Sequence, residues 1–263
     1  MALIAMATWC TPENERGKLL ECTLDSVLQT VNFDRHRLVV VDNGSTDERA
    51  KLALSYKCND GIRHRNAVEL DRNRGTAYAI NRAWDAAAPD EVRIKMDDDV
   101  VFRSEGWADE LEDTIRANPS IGICGLKRKD LDERPDHPKD HYRSTLAMLP
   151  HEPGERWRVV EIVQHVMGTC QAYSPKLIHD IGGLYQMQDE GNVYGFDDSL
   201  ASLRSQLAGY TNCFLPHIDI DHIDPGGTKA TQDKSDSAGR WMSRYFEVRE
   251  EYKAGTRQLR WED

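Results

Sequence analysis

The chain alternates short unbroken apolar runs with stretches whose apolar residues recur at helical spacing, and this alternation restricts its fold more than any other feature. Leu3-Ile4-Ala5-Met6-Ala7 and Leu38-Val39-Val40-Val41 are continuous, and the second is β-branched, as strands covered on both faces are. Between them Leu20, Leu24, Val27, Leu28 and Val31 predict an amphipathic helix of about four turns. The pattern continues with a short strand near Ile62, a helix carrying Ala77, Ile80, Trp84 and Ala87, and a strand from Val92 to Met96. A helix over 104–117 and a strand Ile121-Gly122-Ile123-Cys124 follow. Such a succession predicts an α/β fold, a mostly parallel central sheet with helices on both faces. Ligands of these sheets bind outside the carboxyl ends of the strands. Here the polar segments at Thr8-Trp9, Asp42 to Asp47 and Asp97-Asp98-Asp99 all follow strand ends, so they converge on one edge.

The second half is less regular. Residues 127–157 are charged, proline-containing and histidine-bearing, which reads as an insertion or lid. Strand-like Val159 to Val163 and His165 to Tyr173 follow, then a helix from Ser174 to Ile181 ending at Gly182-Gly183. A further helix is expected over 197–208, closed by Gly209. Trp241, Tyr245 and Val248 form one stripe of a charged amphipathic helix over 237–252, which is expected to shape acceptor choice or a subunit contact. The expected organisation is a main domain over 1–225, with halves 1–103 and 104–225, followed by a loop and helix over 226–263.

A net charge of −11 argues against a general nucleic-acid coat, which needs a surplus of Lys and Arg on one face. Local basic groups, Arg63-His64-Arg65, Arg72 with Arg74, and Lys127-Arg128-Lys129, remain available to phosphates. The 6 cysteines are scattered without a C-x-x-C pair, as buried small residues in a reducing compartment are. The apolar run at Ala2 to Ala7 is too short for a signal segment, and no segment approaches a membrane span, so a cytoplasmic protein is expected.

The chemistry concentrates at Lys95-Met96-Asp97-Asp98-Asp99-Val100-Val101-Phe102. Adjacent carboxylates repel one another and resist desolvation, so a triplet beside an apolar run calls for a cation. On a continuing strand Asp97 and Asp99 would share a face and approach one ion while Asp98 turns away. Few, hard oxygen ligands suit Mg²⁺ or Mn²⁺ sharing its shell with water and phosphate. A solvated acidic turn is the alternative.

In order along the chain, several motifs resemble those of the family 2 glycosyltransferases of the GT-A fold. Val40-Val41-Asp42-Asn43-Gly44-Ser45-Thr46-Asp47 is similar to the family's second-strand motif, and Asn73-Arg74-Gly75 with Ala79, Asn81 and Ala83 to its following helix start. Asp97-Asp98-Asp99 resembles the D-x-D element. Gly182-Gly183-Leu184-Tyr185 and Phe196-Asp197-Asp198-Ser199-Leu200, with Arg204 and Ala208-Gly209-Tyr210, resemble the acceptor-side segments. Thr8-Trp9-Cys10 stands where the family has P-x-Y-N, and Asp197 where glutamate is common.

The resemblance implies a GT-A fold with a Rossmann-like nucleotide-binding half and an acceptor half. It implies a hexosyltransferase that moves a sugar from a nucleotide diphosphate sugar, a UDP-sugar foremost, to an acceptor hydroxyl with inversion. Asp99, Asp97 and His222 would hold Mn²⁺ or Mg²⁺, with Asp97 or Asp98 on the ribose or on metal-bound water. Asp198 would be the base, aligned through Arg204. Thr8, Trp9, Asp42, Arg72 and Arg74 would contact nucleotide or phosphate, and Lys229 and Lys234 would close over the diphosphate. The acceptor stays open among a glycan, a protein, a small molecule, a lipid-linked sugar and a modified DNA base. Two rivals are a non-catalytic sugar or nucleotide binding module and a sugar-phosphate nucleotidylyltransferase. The second calls for a glycine-rich triphosphate loop after the first strand, where Thr8 to Gly17 has a single glycine. A dehydrogenase is disfavoured because no G-x-G-x-x-G follows a strand.

Overall fold

A computed structural model of the chain describes residues 1–58, 64–129, 144–152, 156–185, 187, 195–226 and 229–261. The first half runs β1 (Ala2–Thr8), α1 (Gly17–Thr30), β2 (His36–Asp42), α2 (Glu48–Cys58), β3 (Arg65–Glu69), α3 (Thr76–Trp84) and β4 (Val92–Met96). It continues through β5 (Val100–Phe102), α4 (Trp107–Ala117), β6 (Ile121–Arg128), β7 (Thr145–Glu152), β8 (Arg156–Val163) and β9 (Cys170–Tyr173). The last elements are α5 (Pro175–Ile181), α6 (Asp197–Leu207), β10 (Thr211–His222) and α7 (Lys229–Lys253).

Among the described residues the strands form one sheet in the order β3-β2-β1-β4-β9-β6-β10-β8-β7, with β5 pairing on β10. β3, β2, β1 and β4 are mutually parallel, as the strand-helix alternation predicts. Beyond β4 the sheet is mixed: β9 runs antiparallel to both β4 and β6, while β10 is parallel to β6 and antiparallel to β8. The fold is therefore α/β with a mixed sheet flanked by helices. One core packs α1, α2 and α4 against one face, and a second packs α3, α5 and α6 against the other, so the central strands are apolar on both faces.

Four expectations change. The strand expected near Ile62 lies outside the described residues, and the observed strand is β3, Arg65–Glu69. His165 to Tyr173 is strand only from Cys170, because Gly168-Thr169 makes a turn whose backbone serves the cleft described below. Within 127–157, residues of β6, β7 and β8 belong to the sheet, with β7 as its edge, and 130–143 and 153–155 lie outside the described residues. The C-terminal helix begins at Lys229, ahead of the expected start, and packs Val248 and Tyr252 against Tyr185, Met187 and Leu200.

The register brings the strand ends together. Thr8 at the end of β1 pairs across with Asp42 at the end of β2, and Met6 pairs with Met96 just before the acidic triplet. Gly44, at φ 79°, lets the loop after β2 pass close to Arg72, where a Cβ would fall 2.5 Å from the Arg72 Cα.

Candidate active site

A cleft of about 520 Å³ opens at the carboxyl ends of β1 and β4, and two acidic groups face it. The first is Asp97-Asp98-Asp99. Strand β4 stops at Met96 and Asp98-Asp99 form a turn into β5, so strict strand alternation does not hold and the expected pairing of Asp97 with Asp99 on one face is not observed. Asp98 and Asp99 turn together toward Arg16, whose guanidinium donates to Asp98 Oδ1 and, at 2.8 Å, to Asp99 Oδ2. Thr8 Oγ1 donates to Asp98 Oδ2 at 2.6 Å, and His222 Nε2 lies 3.4 Å from Asp99 Oδ2. The Ile223 N–H, donating to the Asp99 carbonyl, ties the end of β10 to this turn.

Burial pushes Asp98 up, with Arg16 opposing. Burial acts on Asp99 in the same sense, but the His222 hydrogen bond and the Arg16 charge outweigh it and hold Asp99 well below the ordinary carboxylate range. Asp99 Oδ1 is buried and makes no hydrogen bond among the described residues. A buried anionic oxygen without a partner beside an imidazole fits a hard divalent cation. Among the described residues no group of three or more His, Cys, Asp or Glu side chains is arranged to hold a metal alone, so water or substrate oxygens would have to complete its shell.

The second group is Asp197-Asp198 at the first turn of α6. Asp198 Oδ2 accepts the Gly168 N–H at 3.0 Å and lies 3.3 Å from His165 Nε2, and Asp198 Oδ1 accepts the Ser199 N–H at 2.7 Å. Burial favours the neutral acid, yet the His165 hydrogen bond, its charge and that of Lys95 hold Asp198 well below the ordinary range. Its neighbour Asp197 is pushed up, by burial first and then by Asp198 and Asp97, with Lys95 opposing. Two adjacent carboxylates thus have their proton affinities driven apart.

Lys95 joins the two groups. Its Nζ lies 3.1 Å from Asp97 Oδ1, 3.5 Å from Asp197 Oδ2 and 2.7 Å from the Gly168 carbonyl it donates to. Burial alone would favour the neutral amine, but Asp97, Asp197 and Asp198 outweigh it and keep the lysine charged. Gly168 has to be small here, since a Cβ would fall 2.8 Å from Lys95 Nζ and 3.3 Å from Asp198 Oδ2.

The sequence-derived candidates divide. Thr8, Trp9, Asp97, Asp98, Asp99, Asp198, His222 and Lys234 line the cleft. Asp42 does not; it is buried, with Oδ1 accepting the Ser45 N–H at 2.8 Å, while the next residue, Asn43, faces the cleft. Neither Arg72 nor Arg74 lines it, and Arg74 pairs with Asp71 at 3.2 Å and covers the Tyr78 ring. Lys229 is exposed. Arg204 serves the body of the protein, donating to the carbonyls of Leu259, Gly183 and Ile181. Sequence reasoning missed Arg16, His165 and the bridging role of Lys95, none of which carries a local signature; only their partners do.

The model of the family described as Glycosyl transferase family 2 matches residues 13–182. The uncharacterized protein y4gI of Sinorhizobium fredii (strain NBRC 101917 / NGR234) is 24% identical over 221 residues, covering 80% of this chain and 24% of that protein. Among solved structures, the mannosyltransferase PcManGT from Pyrobaculum calidifontis in complex with GDP-Man and Mn²⁺ is similar at a TM-score of 0.64 and 18% identity. The likeness covers 89% of this chain and 60% of that one. S. aureus TarS 1-349 in complex with UDP is similar at a TM-score of 0.58 and 17% identity, over 83% of this chain and 60% of that one. At these identities the likeness is one of fold. The chain spans about a quarter of the curated relative and 60% of each of these solved chains.

Proposed function

The chain belongs to glycosyl transferase family 2, and from that premise we propose that it transfers a sugar from a nucleotide diphosphate sugar, a UDP-sugar foremost, to an acceptor hydroxyl with inversion. The observation that carries this reading is the meeting in one cleft of an acidic turn and an acidic helix start, bridged by Lys95. The chemistry needs positive charge where the diphosphate leaves and a base where the hydroxyl enters.

At the leaving-group end, Asp99 and His222 would hold the metal, with Asp97 contacting it through water. A bound Mn²⁺ or Mg²⁺ would neutralise the charge that grows on the departing diphosphate. The GDP-Man and Mn²⁺ bound by the structurally similar mannosyltransferase from Pyrobaculum calidifontis support this donor class and metal. Arg16 brings a fixed positive charge to the same end, and Asp98, held by Thr8 and Arg16, keeps the turn in place. Trp9, Asn43 and Lys234 also line the cleft, where Trp9 would stack on the base and Lys234 would contact the diphosphate.

At the acceptor end, Asp198 is the base. The acceptor O–H bond breaks, its proton passes to the Asp198 carboxylate, and the oxygen bonds to the anomeric carbon. The bond from that carbon to the phosphate oxygen breaks, and its electron pair leaves with the nucleoside diphosphate. Asp197, with Oδ2 3.5 Å from Lys95 Nζ, would orient the acceptor beside the base. The free thiols support a cytoplasmic setting, and among the described residues no helix is long and apolar enough to cross a membrane.

The test is release of UDP from UDP-glucose and UDP-N-acetylglucosamine, with sugars or water as acceptor, by wild type and Asp198→Asn. Asp198→Asn should bind donor as wild type does and lose at least about 10²-fold in rate. Turnover within a few-fold of wild type would remove Asp198 as the base. The anomeric configuration of the product, read by NMR, tests inversion.

A further inference from the structure

We propose that His165 is a positioning residue for the base: it clamps Asp198 in the cleft and has to give up its proton before Asp198 can accept the acceptor's. The inference rests on the proposed role of Asp198. Its ground is geometric. His165 lies in the irregular segment between β8 and β9, and its Nε2 is 3.3 Å from Asp198 Oδ2 and 3.4 Å from Ser199 Oγ. Together with the Gly168 N–H on the same oxygen and the Ser199 N–H on the other, the imidazole completes a cradle that fixes the carboxylate plane.

A carboxylate held by a cation is a poor base, because each favourable contact to the anion lowers its proton affinity. Among the described residues, the charged groups acting on His165 include Asp198 and Asp197 on α6 and Arg249 on α7. Burial disfavours the imidazolium, yet the Asp198 hydrogen bond and the two carboxylate charges outweigh it, so His165 stays protonated above its ordinary range, with Arg249 opposing. Below its ionisation, His165 is charged and Asp198 is clamped and weak. Above it, His165 is neutral, the geometry persists, and Asp198 regains proton affinity. The rate therefore rises with pH through the ionisation of His165.

The experiment combines NMR titration of the histidine ring signals with the pH profile of UDP release from the same two UDP-sugars. In wild type, the His165 ring should titrate above 6.5, its ordinary value, and Asp198→Asn should bring it down. Wild-type kcat/KM should fall about tenfold per pH unit below that ionisation and level off above it. His165→Gln, which keeps a hydrogen-bonding group, should lose this limb while donor KM is unchanged. Arg249→Leu should move the limb to higher pH without reducing its plateau, which supplies a second variant if His165→Gln folds poorly. A wild-type limb in His165→Gln, or a His165 titration indifferent to Asp198→Asn, would overturn the proposal while leaving Asp198 as the base. Full turnover by Asp198→Asn would overturn both.

Discussion

At the scale of the residue, the cleft depends on cations buried among carboxylates. Lys95 is buried and holds Asp97 and Asp197 on either side, so its removal leaves facing anions without their counter-charge. Breaking a buried pair by deleting one partner costs about 3–5 kcal/mol. Lys95→Met, close in volume, should lower stability by about that amount in urea unfolding and raise the proton affinity of Asp197 further; a loss below about 1 kcal/mol would mean that the carboxylates neutralise themselves. The acidic residues of both groups were legible as motifs. Their cations were not, because Arg16 meets Asp98 and Asp99 across 82 and 83 positions and His165 meets Asp198 across 33, and no local pattern encodes such a juxtaposition.

At the scale of the element, the head of α6 is supported from behind. Phe196, at φ 68°, takes a left-handed conformation costly for a non-glycine residue, one position before the acidic pair. Its ring stacks on Tyr245 of α7, with centroids 4.4 Å apart and planes 14° apart. Arg204, one face of the same helix, holds the carbonyls of Ile181 and Gly183 together with that of Leu259 near the C-terminus. Burial lowers its pKa to about 10, which leaves it charged at neutral pH. Arg204→Met should leave these carbonyls without donors and destabilise the protein by about 3 kcal/mol or more, at roughly 1–3 kcal/mol per unsatisfied buried group. An unchanged urea midpoint would show that water or a rearranged chain replaces the guanidinium. Helical periodicity revealed α6 and the stripe of α7. It did not reveal that the two pack together, and it extended β4 alternation into a triplet that is a turn.

At the scale of the whole molecule, the first half follows from its alternation of buried strands and amphipathic helices, since each strand-helix-strand step returns the next strand parallel. The antiparallel course of β9 was hidden for a physical reason. Cys170–Tyr173 is buried at every position, as the parallel strands are, so direction leaves no trace in its pattern. The consequence is functional. Because β9 runs back between β4 and β6, the turn at Gly168-Thr169 arrives beside the acidic triplet, where the Asp97 N–H donates to the Thr169 carbonyl. One sheet edge thereby holds both acidic groups around Lys95. A thermal-shift panel of UDP, GDP, CMP and dTDP, each with and without Mn²⁺, on wild type and Asp99→Ala, tests this arrangement most directly. Ligand at about 100 times its Kd adds roughly 2.7 kcal/mol, a shift of several degrees for a chain of this length. One nucleotide should stabilise the wild type only with Mn²⁺, and Asp99→Ala should lose that response. An equal shift in both proteins, or none with any nucleotide, would contradict a metal-assisted donor site at Asp99.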